Sequence, residues 1–337
     1  MLDKLFENKE KINAVYFGGS ITQGAVASTH NNSYAGLTAA WLKEKFGHNK
    51  VNYINKAVGG TSSVYGLLRL QRDVIANKPD LLFVEFAVND SGFDSSKYVE
   101  SIIRTLNCLE ELPYVIFLYT TDNEYSTSIE NFERIAEHYN IPQINLKNAL
   151  KEHLCHKDPI ECGYFADSVH PFDKGHKFYA DKIIECLSKE EYFKKPTLTK
   201  EPLNSETFEL TSEFISSQNA SLNGKWEKGI NCEPVIGETE YLVATKKDSS
   251  LEITFEGNIF AIEHGLHKNG GKYKIFIDDD FLTECNSFYK DFESNQLVLA
   301  YSNFELENKK HSVKIIASQD DKQVLIYNLI IGRKIEN

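Results

Sequence analysis

The chain has 337 residues, 41% of them hydrophobic and 26% charged, with a formal net charge of -12. Its length exceeds one ordinary domain of about 100–200 residues, and no stretch approaches the roughly 20 consecutive apolar residues of a membrane span. The negative charge, with no basic cluster to offset it, would repel a polyphosphate backbone or an anionic bilayer, so neither nucleic acid nor membrane is an expected partner.

The opening segment, MLDKLFENKEKINAVYF, scatters its charges and has no long apolar run followed by small residues. It does not read as a signal peptide, and a cytoplasmic protein is the expectation. Six cysteines (Cys108, Cys155, Cys162, Cys186, Cys232 and Cys285) are spread without CxxC pairs. That spacing points to reduced thiols, not to a zinc site or a disulfide framework.

From residue 12 to about 190, short apolar runs alternate with segments of helical period. Strands are expected at 12–17, 51–54, 81–86 and 114–119, with a weaker one at 141–144. Helices are expected around 34–46, 64–76, 98–109, 129–139 and 174–187. Repeated βα units with right-handed crossovers predict a doubly wound parallel α/β sheet with its site at the carboxyl ends of the strands.

The character changes after Tyr192, where KKPTLTKEPLNSETF carries two prolines and little periodicity. The reading is a domain over 1–195, a linker over 196–204 and a second domain over 205–337. Alternating segments at 250–256, 272–277, 297–301, 312–317 and 324–331, separated by turns such as Lys268-Asn269-Gly270-Gly271, predict a C-terminal β-sandwich of jelly-roll type. Trp226, Tyr241 and Tyr273 sit at strand spacing, which favours core positions over sugar contacts, and His264 and His267 read as polar loop residues.

The chemistry is concentrated in the first half. Phe17-Gly18-Gly19-Ser20-Ile21-Thr22-Gln23-Gly24 directly follows the first expected strand. Glycines before the serine permit a sharp turn that exposes its hydroxyl at a helix N-terminus, where free amides favour developing negative charge. A helix cap would look the same in isolation. The segment is not the G-x-S-x-G elbow of α/β-hydrolases, because Thr22 stands at the second glycine. A serine nucleophile needs a base and an orienting acid. Asp167 and His170, three apart in Ala166-Asp167-Ser168-Val169-His170-Pro171, can place a carboxylate on one imidazole nitrogen and leave the other facing Ser20. His176 is a rival base whose position inside the last helix favours packing or capping.

In four blocks taken in order, the chain resembles the SGNH (GDSL-like) hydrolases, and the joining of such a domain to a jelly-roll-like β domain resembles two-domain bacterial carbohydrate esterases. The first is Gly18-Gly19-Ser20-Ile21-Thr22, with Gly19 where the family usually has Asp. The second is Asn55-Lys56-Ala57-Val58-Gly59-Gly60-Thr61, followed by Leu67-Leu68-Arg69-Leu70. The third is Val84-Glu85-Phe86-Ala87-Val88-Asn89-Asp90, and the fourth is Asp167-Ser168-Val169-His170-Pro171. The resemblance implies a flavodoxin-like SGNH domain and a triad of Ser20, Asp167 and His170. It implies an oxyanion hole from the amides of Ser20 and Gly60 and the side chain of Asn89, with Gly59 as the near alternative to Gly60. It requires no metal or organic cofactor.

Loops 91–97, 120–128 and 155–166 are polar and acidic with interspersed aromatics. They suit a sugar better than a long acyl chain. The expected partner is therefore a small-molecule or oligosaccharide ester, and the expected activity is hydrolysis of acetyl esters. A thioesterase, lysophospholipase or sugar O-acetyltransferase on the same triad is the first alternative, and a non-catalytic carbohydrate-binding protein is the second.

Overall fold

Alternating strand and helix periods in the first half fold into one parallel sheet. Its strands are β1 (Ile12–Gly18), β2 (Val51–Asn55), β3 (Leu81–Glu85), β4 (Tyr114–Tyr119) and β5 (Gln143–Asn145). In this computed structural model, which describes residues 5–198, 200–233, 237–293 and 295–335, they lie in the order β2-β1-β3-β4-β5. Val15 of β1 pairs with Ile54 on one side and Leu82 on the other. The helices are α1 (Ser20–Gln23), α2 (Tyr34–Phe46), α3 (Ser63–Asp73), α4 (Ser96–Thr105), α5 (Glu130–Tyr139), α6 (Leu146–His153) and α7 (Asp173–Leu187). α7 packs on α2 and α6, whereas α4 packs on α3 and α5, giving two helical layers. Because residues alternate across a strand, Ala14 and Tyr16 enter the core beneath α2, α6 and α7, and Val15 and Phe17 point the other way. The expected doubly wound sheet is present, and its strand order reverses between β1 and β3.

α6 was not expected. It is short, Leu146 and Leu150 are its only buried side chains, and Asn145 caps it by accepting from the Asn148 amide at 2.9 Å. Such a helix leaves almost no periodic signal. No helix among the described residues is long and apolar enough to cross a membrane.

The segment read as a linker is tied down. Tight internal contacts divide the chain into Met1–Glu209 and Leu210–Asn337, so residues 196–209 belong with the first unit instead of leaving it at 195. The reason is Glu100 on α4. Its buried carboxylate accepts from Tyr139 Oη (2.6 Å), the amides of Leu203 (2.6 Å) and Asn204 (2.9 Å), Asn204 Nδ2 (2.7 Å) and Thr207 Oγ1 (2.7 Å). Burial alone would raise its pKa, but these donors outweigh burial and hold the carboxyl below its ordinary 4.5. A folded-state pKa below the unfolded value contributes stability that is present above that value and lost as pH falls through the folded one. Glu100→Gln should therefore melt several degrees lower than wild type at pH 7, with the gap narrowing below about pH 4. Circular dichroism melts at the two pH values measure this. A gap that does not change with pH would remove the charge from the explanation.

The second unit consists of antiparallel strands: β6 (Glu209–Ser216), β7 (Ser221–Asn223), β8 (Trp226–Glu233), β9 (Gly237–Ala244), β10 (Ser250–Gly257), β11 (Ile259–Leu266), β12 (Lys272–Ile277), β13 (Asp280–Asn286), β14 (Gln296–Asn303), β15 (Lys309–Ala317) and β16 (Val324–Ile335). One sheet runs β13-β12-β15-β10-β7; the other runs β14-β11-β16-β9-β8, with β6 also on β16. Leu251, Phe255, Ile275 and Ile315 of the first meet Leu242, Phe260, Ile262 and Ile326 of the second in one core, which makes the unit a sandwich. β11 escaped the sequence reading because it lies between β14 and β16 and is buried along nearly its whole length, so it shows no alternation. His264, read as a loop residue, is in β11; it is buried beside Tyr273 Oη at 3.0 Å, and burial pushes its pKa down to about 4. Tyr273 is fully buried, as strand spacing predicted.

Candidate active site

β1 ends at Gly18, and the chain turns immediately into the single-turn helix α1, whose first residue is Ser20. The first amides of any helix lack intrahelical acceptors, so the donors expected around Ser20 exist. A helix of four residues has little macrodipole, however, and any anion there depends on local N–H groups.

Ser20 Oγ lies 2.9 Å from His170 Nε2. On the other side of the ring, Nδ1 lies 2.9 Å from Asp167 Oδ2 and 3.1 Å from Oδ1. The carboxylate fixes the tautomer: Nδ1 carries the proton and donates to Asp167, leaving Nε2 to accept from the serine. The amides of Val169 and His170 both donate to Asp167 Oδ1 at 2.8 Å. Partial burial would raise the pKa of Asp167, but donation from the His170 ring and these amides holds it below the usual carboxylate value. The acid is therefore charged and immobile although its side chain is 52% exposed.

Two further contacts set the His170 loop against the nucleophile. Asp173, the first residue of α7, accepts from the Ser28 amide (2.8 Å), Ser28 Oγ (2.6 Å) and Asn32 Nδ2 (3.1 Å), which joins it to the segment after α1. His176 Nδ1 accepts from the Tyr34 amide at 3.3 Å, and its Nε2 faces the Ala25 carbonyl at 3.4 Å. Burial pushes the His176 pKa down to about 4, so it is neutral and fully engaged with backbone, which suits packing and not proton transfer.

Asn89 lies beyond the end of β3, in the turn closed by the Asp90 amide donating to the Phe86 carbonyl at 2.9 Å. A Cβ at Gly19 would sit 2.3 Å from Asn89 Oδ1. The Asn89 side chain therefore lies directly over the peptide before Ser20, and the glycine at position 19 is what admits it. Gly59 approaches Ser20 from the other side: a Cβ there would lie 3.6 Å from Ser20 Cβ and 2.8 Å from Gln23 Oε1. Gly60 follows with φ +70, a left-handed turn open to solvent around its Cα. Ser20, Asn89, Asp167 and His170 are thus gathered at the carboxyl edge of β1 and β3, with Gly59 and Gly60 alongside.

Arg69 on α3 supports the same turn from below. Its guanidinium is fully buried, donates from Nη2 to the Gly18 carbonyl at 3.0 Å, bonds the Lys56 carbonyl, and pairs with Asp73 at 2.9 Å. It stacks 4.3 Å from the Phe17 ring centroid. Glu85, Arg69 and Asp173 were missed as site-shaping residues by reading chemistry-bearing types alone. The signal for Arg69 and Glu85 is a charged residue inside an otherwise apolar run, in Leu67–Leu70 and Leu81–Phe86; Asp173 has no such signal.

A parallel sheet whose order reverses at β1 and β3, with a serine, an asparagine and an Asp-x-x-His loop at that point, resembles the arrangement of SGNH-type ester hydrolases. Residues 16–178 match the model of the GDSL-like Lipase/Acylhydrolase family. No curated protein matches the chain in sequence. Over its full length it is similar in structure to a two-domain esterase (CEX) active on acetylated mannans, co-crystallized with mannopentaose. That match has a TM-score of 0.83 and 23% identity, covering 100% of this chain and 94% of that one. A second crystal structure of a two-domain esterase (CEX) active on acetylated mannans matches at TM-score 0.82 and 23% identity, covering 100% of this chain and 95% of that one. At such identity the likeness establishes a shared two-domain fold.

Proposed function

We propose that this chain hydrolyses acetyl esters carried on oligosaccharides, through Ser20, His170 and Asp167. The observation that carries the reading is the unbroken chain from Ser20 Oγ to His170 Nε2 at 2.9 Å and from His170 Nδ1 to Asp167 Oδ2 at 2.9 Å. In the first half-reaction His170 takes the Ser20 proton as the oxygen attacks the ester carbonyl. Asp167 stabilises the imidazolium, and collapse of the tetrahedral intermediate returns that proton to the leaving sugar hydroxyl. In the second half-reaction water, deprotonated by His170, attacks the acetyl-serine; His170 returns that proton to Ser20 Oγ as the acyl bond breaks, and acetic acid leaves and ionises to acetate. The amides of Ser20 and Gly60 and the Asn89 side chain are the donors for the oxyanion.

The acetyl and sugar assignments have separate support. The loops bearing Asn89 and His170 each carry an exposed aromatic, Phe93 at 40% and Phe172 at 44% exposure, among polar neighbours. An aromatic face amid hydrogen-bonding groups suits a sugar ring. The whole-chain structural counterpart is an esterase described as active on acetylated mannans.

Rates on 4-nitrophenyl esters of increasing chain length, alongside acetylated manno-, xylo- and gluco-oligosaccharides, test the substrate. Acetyl should be preferred over octanoyl by at least about tenfold in kcat/KM, equivalent to roughly 1.4 kcal/mol. A pocket built for long chains would give the reverse order, because each buried CH₂ contributes roughly 0.8 kcal/mol. The panel also separates the reading from a lysophospholipase or thioesterase on the same residues.

A further inference from the structure

Glu85 is the last residue of β3 and is 1% exposed. Its carboxylate accepts from Thr22 Oγ1 at 2.8 Å and from Thr120 Oγ1 at 2.8 Å. Thr22 Oγ1 is in turn 2.6 Å from the buried Tyr34 Oη. The main-chain oxygen of the same residue accepts from the Gly19 amide at 3.3 Å. Glu85 therefore holds the chain one residue before Ser20 and two residues after it. It also begins the turn that delivers Asn89 four residues later.

We propose that Glu85 is a positioning residue for the nucleophile, fixing the Ser20 turn relative to Asn89 through Gly19 and Thr22. The proposal rests on Ser20 being the nucleophile. Among the described residues no cation pairs with this carboxylate, and a buried acid without one is costly, whereas an apolar side chain of similar size would fill the space without that cost. Burial accordingly raises its pKa, and the donations from Thr120, Thr22 and Gly19 only partly oppose it. What the carboxylate supplies and a leucine could not is directional: acceptors for hydroxyls on two different elements. Thr22 belongs to α1 and Thr120 follows β4, so one side chain sets the rotation of the nucleophile's helical turn against the strand ends. A nucleophile must meet its carbonyl within a few tenths of an ångström, and a displacement of about 1 Å can lower a rate roughly 10²-fold.

A merely structural Glu85 would lower melting temperature without changing the rate of correctly folded molecules, so the test counts folded sites. In the full-length enzyme, active sites are titrated with a fluorophosphonate, and kcat and KM for 4-nitrophenyl acetate are expressed per labelled site. Glu85→Gln should lower kcat and the phosphonylation rate constant together by at least about tenfold, with KM changed less than about threefold. Thr22→Val, which keeps the shape and removes the hydroxyl, should show the same pattern, and it decides the matter if Glu85→Gln does not fold. Glu100→Gln is the control: it also alters a buried, multiply bonded carboxylate, but on α4, and it should lower melting temperature at unchanged kcat. Wild-type kcat and labelling rate in Glu85→Gln and Thr22→Val would overturn the proposal whatever their melting temperatures. Failure of the underlying reading is distinct, because the phosphonate would then leave Ser20 of the wild type unmodified.

Discussion

Ser20→Ala and His170→Ala are each expected to lower kcat on acetyl esters by at least about 10⁴-fold, with the melting temperature of both variants close to wild type. In the proposed mechanism Ser20 supplies the atom that forms the acyl bond, and among the described residues no other hydroxyl is hydrogen-bonded to His170 Nε2. Without His170 the hydroxyl has no acceptor for its proton at neutral pH. The two groups act as a unit, so the double variant should be no slower than either single one. Asp167→Ala should cost less than either, since its part is to hold the Nδ1 proton and ring orientation in place, a task shared by the loop that the Val169 and His170 amides tie to it. Steady-state rates on 4-nitrophenyl acetate, with circular dichroism to establish folding, measure all four. Near-additive losses in the double variant would mean that Ser20 and His170 serve different steps.

Asn89→Ala is expected to lower kcat by about 10²–10³-fold while KM changes little. The side chain lies over the Gly19 peptide, next to Ser20, and in the proposed mechanism its amide donates to the carbonyl oxygen of the bound ester. A donor aimed at that oxygen strengthens as the charge develops, so its removal raises the barrier more than it weakens substrate binding. The structural cost should be slight, because the loss of Asn89 opens space above a glycine and does not strand a buried partner. An effect confined to KM would make Asn89 a substrate-binding residue and leave the oxyanion to the backbone amides.

The parts of this protein that were legible in sequence are those with local causes. The α2 stripe and the β1, β3 and β4 runs announce themselves by period, and the observed bounds of α2 and β4 coincide with the expected ones. Ser20 was singled out as a hydroxyl in a turn after a strand end, Asp167 and His170 by their three-residue spacing, and Asn89 by the family resemblance. What sequence alone left hidden depends on distant partners. Glu85 reads as an interruption of an apolar strand until Thr22 and Thr120 are seen around it. The stretch around Pro196 and Pro202 reads as a linker because its four anchoring donors converge on Glu100, about a hundred residues earlier. Gly19 looks like a defect in a Gly-Asp-Ser motif until Asn89 is found occupying the space a side chain would need. β11, without alternation, became visible only with both neighbours in place.

The identity of the nucleophile is tested by trapping. The full-length enzyme is treated with an alkyl fluorophosphonate, digested, and the modified peptide located by mass spectrometry. One phosphonyl group per chain is expected on Ser20, within the peptide containing Phe17-Gly18-Gly19-Ser20, and esterase activity should fall in proportion to its incorporation. No incorporation is expected in Ser20→Ala, and it should be strongly slowed in His170→Ala. Stoichiometric modification of any other residue with parallel loss of activity, or esterase turnover by Ser20→Ala at close to the wild-type rate, would contradict the assignment.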